Sequence, residues 1–308
     1  MKIALLGATS HIAKSLIPQF TAKPTIQLVL FSRTPEKSKA FLNCLATPPQ
    51  AVCLPLEDFP KYTYDAVINC IGLGDPNKIS QASESFFMLN ETYDNLVLNY
   101  LLKHSETRYI FFSSGAVYGT AFEEPVSEQS STSFTVNNLT PSDFYRLSKL
   151  NSEAKHRSLG HLSIIDLRIF SYFSRYIDLN AAFLLSQLVS CASHQKPFIT
   201  THSNIWRDFI HPTDLFSFIL KLLNHKAFLN TAFDISSKAP VSKHELIAFF
   251  ETRYKLKTEY TDALSTHHAT GAKSVYYSVN KMAESFGFSP QFTSLETIES
   301  ETTFLIKQ

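Results

Sequence analysis

Short apolar runs and helical patterns alternate along the first half of the chain. MKIALLGATSHIAKSL opens with an apolar run, Ile3–Leu6, which Gly7 ends before a helical spacing of apolar residues begins at about His11. IQLVLF then precedes the helical stretch PEKSKAFLNCL, and AVCLP leads into a short turn. DAVINCI precedes the long pattern SESFFMLNETYDNLVLNYLLKH. RYIFFSS is followed, beyond a polar loop, by DFYRLSKLNSEAKHR and the run LSIIDLRIF. Strands that are apolar throughout are buried on both faces, and helices between them imply right-handed crossovers. The pattern predicts an α/β fold built on a doubly wound parallel sheet. In such sheets ligands bind at the carboxyl ends of the strands, where strand order reverses.

Beyond Phe173 the pattern changes. Helical stretches (Asn180–Ser193, Asp214–Asn224, Ser242–Tyr254) are split by loops and by short runs such as FDI. A first unit of residues 1–173 is expected, with a strand returning to its sheet near 231–236. Residues 174–308 are expected to form mainly a smaller, substrate-binding lobe.

Composition narrows the function classes. The chain has 308 residues, 44% of them hydrophobic and 18% charged, with a net charge of +1. No long block of one charge occurs, so no nucleic-acid partner is expected. No apolar run approaches the roughly 20 residues of a membrane span, AAFLLSQLVSCA being the nearest. The start MKIALLG is interrupted too early to read as a signal peptide. Cys44, Cys53, Cys70 and Cys191 lie far apart without a CxxC pair, which suits reduced thiols in a cytoplasmic protein. His202, His211, His267 and His268 are too scattered for a zinc site, and no metal is expected.

The chain has only eight glycines. Gly7, Gly72, Gly74, Gly115 and Gly119 all follow predicted sheet strands, at the edge where a ligand would approach the backbone. At the opening turn a dinucleotide fingerprint would place further glycines where Ser10 and Ala13 stand. Spacing alone leaves two readings open there, a modified phosphate loop or a plain strand–turn–helix. Tyr145 and Lys149 stand four residues apart in a helical pattern and so share a face. A nearby cation lowers a phenol's pKa from about 10, which fits it for proton transfer. Ser114, at the end of a strand, can hydrogen-bond a substrate oxygen beside that phenol.

With these residues in place the chain resembles the extended short-chain dehydrogenases/reductases. More narrowly it resembles their NAD(P)-dependent epimerase/dehydratase group, which acts on nucleotide sugars. SSGAVYG looks like the family's motif after its fifth strand, and YRLSK is similar to its Y-x-x-S-K. EEPVSE, Asn90 in the long helix, WRDFIHPTDL and FDISSKAPVSKHEL match further family segments in order. The resemblance implies a Rossmann-type fold with Tyr145 as acid/base. Lys149 would bind the nicotinamide ribose and tune Tyr145, and Ser114 would orient the substrate. It implies further cofactor contacts at Gly7, Thr9, Ser10, His11, Ile12, Ser32, Arg33, Leu56, Cys70, Ile71 and Gly72. Substrate contacts are implied at Gly74, Ser114, Ser171, Tyr172 and Arg207, the last to a sugar-nucleotide diphosphate. Trp206 is expected to pack beside Arg207.

The departures from the family pattern are specific. Ser10 replaces a glycine of the phosphate turn, and Pro55 stands where an aspartate is common near the adenine. Ser171 replaces an asparagine, and YFSR replaces Y-G-P. At the end of the second strand stand Ser32 and Arg33 instead of an acid, with Lys37 nearby, which favours NADP over NAD. A solvated charge at a strand end is the alternative. The family's 4,6-dehydratases carry Asp-Glu after the catalytic Thr, and its GDP-fucose-forming enzymes carry a cysteine two places after the serine. Here stand Gly115 and Ala116. Keto-sugar reduction or 4-epimerisation remains, and with NADP the reductase leads. A non-catalytic NADP sensor of the same fold is the alternative from another class, and a homodimer stays open.

Overall fold

The computed structural model describes residues 1–45, 51–72, 83–119, 122–262 and 273–306. Seven strands form the central sheet: β1 (Lys2–Leu6), β2 (Gln27–Ser32), β3 (Val52–Pro55), β4 (Ala66–Asn69), β5 (Arg108–Ser114), β6 (Ile164–Ile169) and β7 (Thr231–Ile235). Their order is β7-β6-β5-β4-β1-β2-β3, and every pairing is parallel. This is the predicted doubly wound sheet, including the late return strand. The order reverses between β1 and β4, where Leu6 lies beside Asn69.

The described helices are α1 (His11–Thr21), α2 (Pro35–Asn43), α3 (Ser83–Leu101), α4 (Pro141–Ser158), α5 (Leu184–Ser193), α6 (Pro212–Asn224), α7 (Lys243–Tyr254), α8 (Met282–Ser285) and α9 (Ser294–Thr302). No described helix is long and apolar enough to cross a membrane.

Successive strand residues point to opposite faces, so an unbroken apolar run supplies two cores. Ile3, Leu5, Leu28, Leu30 and Ile68 pack with Phe20 of α1 and Phe218 of α6. Ala4, Leu6, Val29, Phe31 and Val67 pack on the other face with Val97 and Leu101 of α3. A third core joins α5, α7 and α9 through Leu188, Phe250 and Ile298, together with Phe173 and Phe209. A small fourth cluster gathers Phe122, Val126, Phe170 and Tyr276.

Two helices depart from the periodicity. The stretch read as helical from Asn180 becomes α5 only at Leu184. The Asn180 N–H instead donates to the Asp178 carboxylate at 3.0 Å, a local bond that competes with helical pairing. α3 ends at Leu101, and the N–H groups of Lys103 and His104 donate three residues back, tightening the last turn.

A buried polar cluster ties α3 and α4 to the sheet. His156 of α4 is hydrogen-bonded through Nδ1 to Asp166 of β6 at 2.7 Å and through Nε2 to Asp94 of α3 at 2.8 Å. Lys155 and Arg157 pair with the same two carboxylates. Tyr109 of β5 donates to Asp94, and Asn69 of β4 donates to the Tyr109 hydroxyl. Both ring nitrogens of His156 face acceptors, so both carry protons. Burial alone would lower the His156 pKa, but Asp166 and Asp94 outweigh it and push it up to about 9. A raised pKa in the folded state contributes stability that is complete below about pH 6.5 and fades as pH rises through about 9. The protein is therefore expected to lose on the order of 3 kcal/mol of unfolding free energy across that window. In His156→Gln that pH-dependent loss should be absent, and denaturant midpoints of both proteins at several pH values check it.

Candidate functional site

The sharp turn after β1 is forced by space. Gly7 has φ +76°, and a Cβ there would stand 2.8 Å from the carbonyl carbon of Cys70 at the end of β4. The Gly7 and Ala8 N–H groups both donate to the Phe31 carbonyl of β2, at 2.9 and 3.1 Å. The turn is thereby pinned between two strands, and α1 begins over the crevice between β1 and β4. Ser10 is the N-cap of α1, its hydroxyl oxygen accepting from the Ala13 N–H at 3.3 Å. No acidic residue stands in the first turn of α1. The positive end of the helix is left uncancelled, which suits a pyrophosphate and supports the modified phosphate loop.

The strand ends open onto a cavity of about 760 Å³. Thr9, Ser10, His11 and Ile12 line it from the opening turn, and Cys70, Ile71 and Gly72 from the end of β4. Ser114, Tyr145 and Lys149 line it from β5 and α4, Ser171 and Tyr172 from beyond β6, and Arg207 from the third core's side. Residues far apart in the chain are thus gathered as the sequence motifs implied. Gly7 supports the wall from behind. Ser32, Arg33 and Leu56 lie away from it: Ser32 is buried against the Ser38 hydroxyl, Arg33 is exposed, and Leu56 belongs to a sheet core. Gly74 and the pair His267 and His268 lie outside the described residues.

The Ser114 oxygen accepts from the Ala116 N–H at 3.2 Å, and the same hydroxyl hydrogen-bonds Tyr145. Burial raises the Tyr145 phenol above its ordinary pKa, and the bond to Ser114 opposes this. Lys149, expected to do the tuning, directs its ammonium to the Phe112 carbonyl at 2.8 Å and to Asn90 Oδ1 at 3.3 Å. Asn90 is held in turn by the Ser152 hydroxyl at 3.0 Å. Burial brings the Lys149 pKa down to about 8, against the pull of Asp94, Asp166 and Glu153.

His11 lines the cavity but is neutral, with burial lowering its pKa to about 4 and its Nε2 2.8 Å from the Ser174 hydroxyl. Arg207 donates to the carbonyls of Trp206 and Lys273, both at 2.8 Å, rather than to a carboxylate. That leaves its charge available to an anion, although burial lowers its pKa to about 10. Trp206, expected to pack beside it, is 38% exposed.

Two features escaped the sequence. The Phe170 ring lies where a Cβ on Gly115 would be, at 2.5 Å. An acidic residue directly after Ser114 would therefore require Phe170 to move. Tyr276, from a two-residue strand far along the chain, places its hydroxyl 3.2 Å from Ser114 Oγ. No local motif marks it, since it is brought there by pairing of Val275–Tyr276 with Trp206–Arg207 and by bridges to Phe122 and Val126.

A doubly wound sheet with serine, tyrosine and lysine at its strand ends defines an enzyme of the extended short-chain dehydrogenase/reductase class. The profile of the NAD dependent epimerase/dehydratase family matches residues 3–235, and the chain belongs to that family. UDP-glucuronic acid 4-epimerase from Bacillus cereus, solved with UDP-glucuronic acid and NAD, is 19% identical, with a TM-score of 0.81 and 99% of each chain covered. UDP-glucose 4-epimerase from Thermotoga maritima, solved with UDP-glucose, is 14% identical, with a TM-score of 0.79 over 99% of this chain and 98% of that one. dTDP-glucose 4,6-dehydratase from Bacillus anthracis, solved with NAD, is 17% identical, with a TM-score of 0.77 over 99% and 96%. A comparison with curated protein sequences gives no significant match.

Gly7 and Gly72 make a test of the turn. Gly7→Ala should cost on the order of 1–3 kcal/mol and weaken NAD binding, because its backbone cannot shift without moving β4. At Gly72 the nearest atom to an added Cβ among the described residues is Lys149 Nζ at 4.0 Å. Gly72→Ala should therefore leave the melting temperature close to that of the parent.

Proposed function

We propose that this protein is a nucleotide-sugar 4-epimerase using NAD, with Tyr145 as acid/base. The observation that carries the reading is the gathering of Ser114, Tyr145 and Lys149 in the same cavity as the α1 N-terminus. Phe170 over Gly115 supports it, since a dehydratase acid directly after Ser114 would require that ring to move. The solved relatives bound to UDP-glucuronic acid and UDP-glucose point to a UDP-sugar as substrate class. The lobe built on α5, α7 and α9 is the substrate side, contributing Arg207 toward the diphosphate.

Thr9 to Ile12 would hold the pyrophosphate of the dinucleotide, and Lys149 its nicotinamide ribose. Bound there, NAD supplies the hydride acceptor and donor. Tyr145 in its ionised form removes the proton from the sugar hydroxyl as the carbonyl forms, and returns it when the carbonyl is reduced from the opposite face. Ser114 hydrogen-bonds the same sugar oxygen and keeps it beside the phenol. Lys149 holds its ammonium in place through Phe112 and Asn90, and carries its charge below about pH 8.

An NADP-dependent keto-sugar reductase is the second reading, and one observation favours it. Arg33 is exposed beyond the end of β2, with no ion-pair partner among the described residues, where it could meet a 2′-phosphate.

Tyr145→Phe should keep the fold and NAD affinity while lowering turnover by about 10²–10⁴. The assay is isomer analysis with UDP-glucose, UDP-glucuronic acid and dTDP-glucose. Turnover at the parent rate by this variant would remove Tyr145 from the chemistry.

Arg33→Asp separates the two readings. The epimerase reading expects the ratio of NADH to NADPH affinity to stay near that of the parent, measured by titration. A selective loss of NADPH would establish the reductase's cofactor instead.

A further inference from the structure

Ser114 has one proton to give, and the structure surrounds it with more than one taker. A serine hydroxyl offers one donor and two acceptor sites. The Ala116 N–H occupies one acceptor site of Ser114 at 3.2 Å. Tyr145 and the Tyr276 hydroxyl, 3.2 Å away, share what remains. If Ser114 gave its proton to Tyr276, Tyr145 would lose the bond that favours its ionised form. The orientation of this one hydroxyl therefore bears on Tyr145.

Tyr276 does not line the cavity; it stands behind Ser114. Its ring is packed edge-on against Phe122 at 4.9 Å and tilted over Phe170 at 5.1 Å. Lys273 Nζ lies 4.0 Å from the centre of that ring, and the Arg207 guanidinium 5.9 Å. Four apolar or cationic neighbours thus fix the ring, with its hydroxyl oxygen accepting from the Ala116 N–H and lying against Ser114 Oγ.

We propose that Tyr276 is a positioning residue, whose hydroxyl donates to Ser114 Oγ and so turns the Ser114 proton toward Tyr145. The inference rests on the reading of Tyr145 as acid/base. It gives a chain of bonds from Tyr276 through Ser114 to the Tyr145 oxygen, in which each bond polarises the next. The proton count is unchanged along the chain, since each oxygen keeps its own hydrogen and Tyr145 alone loses one. Tyr276 suits the donor role because burial, the largest effect on it, holds its phenol protonated. Among the described residues, the charged and titratable groups facing this chain are Lys273 and Arg207 on the Tyr276 side and Lys149 on the Tyr145 side. Burial lowers the Lys273 pKa to about 7, with Arg207 adding to the shift. Its charge is therefore largely lost below the range in which Tyr145, raised above the ordinary phenol value, titrates, which leaves the directed hydroxyl the steadier influence.

The experiment follows Tyr145 directly, by NMR titration of isotope-labelled tyrosine in the NAD-loaded protein, with the signal assigned by its loss in Tyr145→Phe. Tyr276→Phe keeps the ring and its packing and removes only the donor. The expected result is an upward shift of the Tyr145 midpoint by about one pH unit, the loss of one hydrogen bond. Ser114→Ala should shift it in the same direction, and the double variant Ser114→Ala/Tyr276→Phe no further than Ser114→Ala alone. A purely structural role would add to the effect of Ser114→Ala instead. An unchanged midpoint in Tyr276→Phe, or additive shifts in the double variant, overturns the inference. Failure of the reading beneath it looks different: Tyr145→Phe would then turn over a UDP-sugar at the parent rate, whatever its midpoint.

Discussion

The arrangement of the site depends on the close approach of two strand ends, β1 and β4. Gly7 touches the backbone of Cys70 and Ile71 so closely that no side chain fits between them. That contact closes the turn, sets α1 running back over the sheet, and leaves the helix N-terminus above the crevice. Any residue with a Cβ would push β1 and β4 apart at the point where the strand order reverses. The crevice exists because the chain leaves β1 for β2 on one side and returns to β4 on the other.

A second constraint reaches the same crevice from beneath. Asn69 receives its orientation from Tyr109 and thus from the Asp94–His156–Asp166 cluster. Its side-chain oxygen accepts from the Ile71 N–H at 2.9 Å, which shapes the loop lining the cavity. Asn90, one turn before Asp94 on α3, holds Lys149. The buried charges between α3, α4 and the sheet therefore do more than fasten helices. Removing any one of them would leave a buried partner uncompensated, so their geometry is tightly determined.

Behind Ser114 the site is backed by an aromatic cluster whose Phe170 and Tyr276 lie outside the family motifs. Phe170 covers Gly115, stacks on Tyr118 and leans on Tyr276. Tyr118 in turn donates to Asp234 of β7 while accepting from Arg168 of β6. The aromatic cluster closes the space beside Ser114 that an additional acid would need. The same packing also brings Tyr276 to the serine.

Local pattern carried the sheet, the helices that cross it and the positions of Ser114, Tyr145 and Lys149. Apolar runs and helical spacing respond to burial alone, and burial repeats with the geometry of each element. Gly7 and the Y-x-x-x-K pair were legible for the same reason, since a turn or a helix face is local. What the chain could not disclose by itself was which side chain stands against which across long separations. The start of α5 at Leu184 turned on one Asp178–Asn180 bond, and the hydrogen bond from Ser114 to Tyr145 spans two separate elements. Tyr276 and Phe170 reach the site only because separate strands and loops converge there. Those contacts are set by packing in three dimensions, and packing has no period along the sequence.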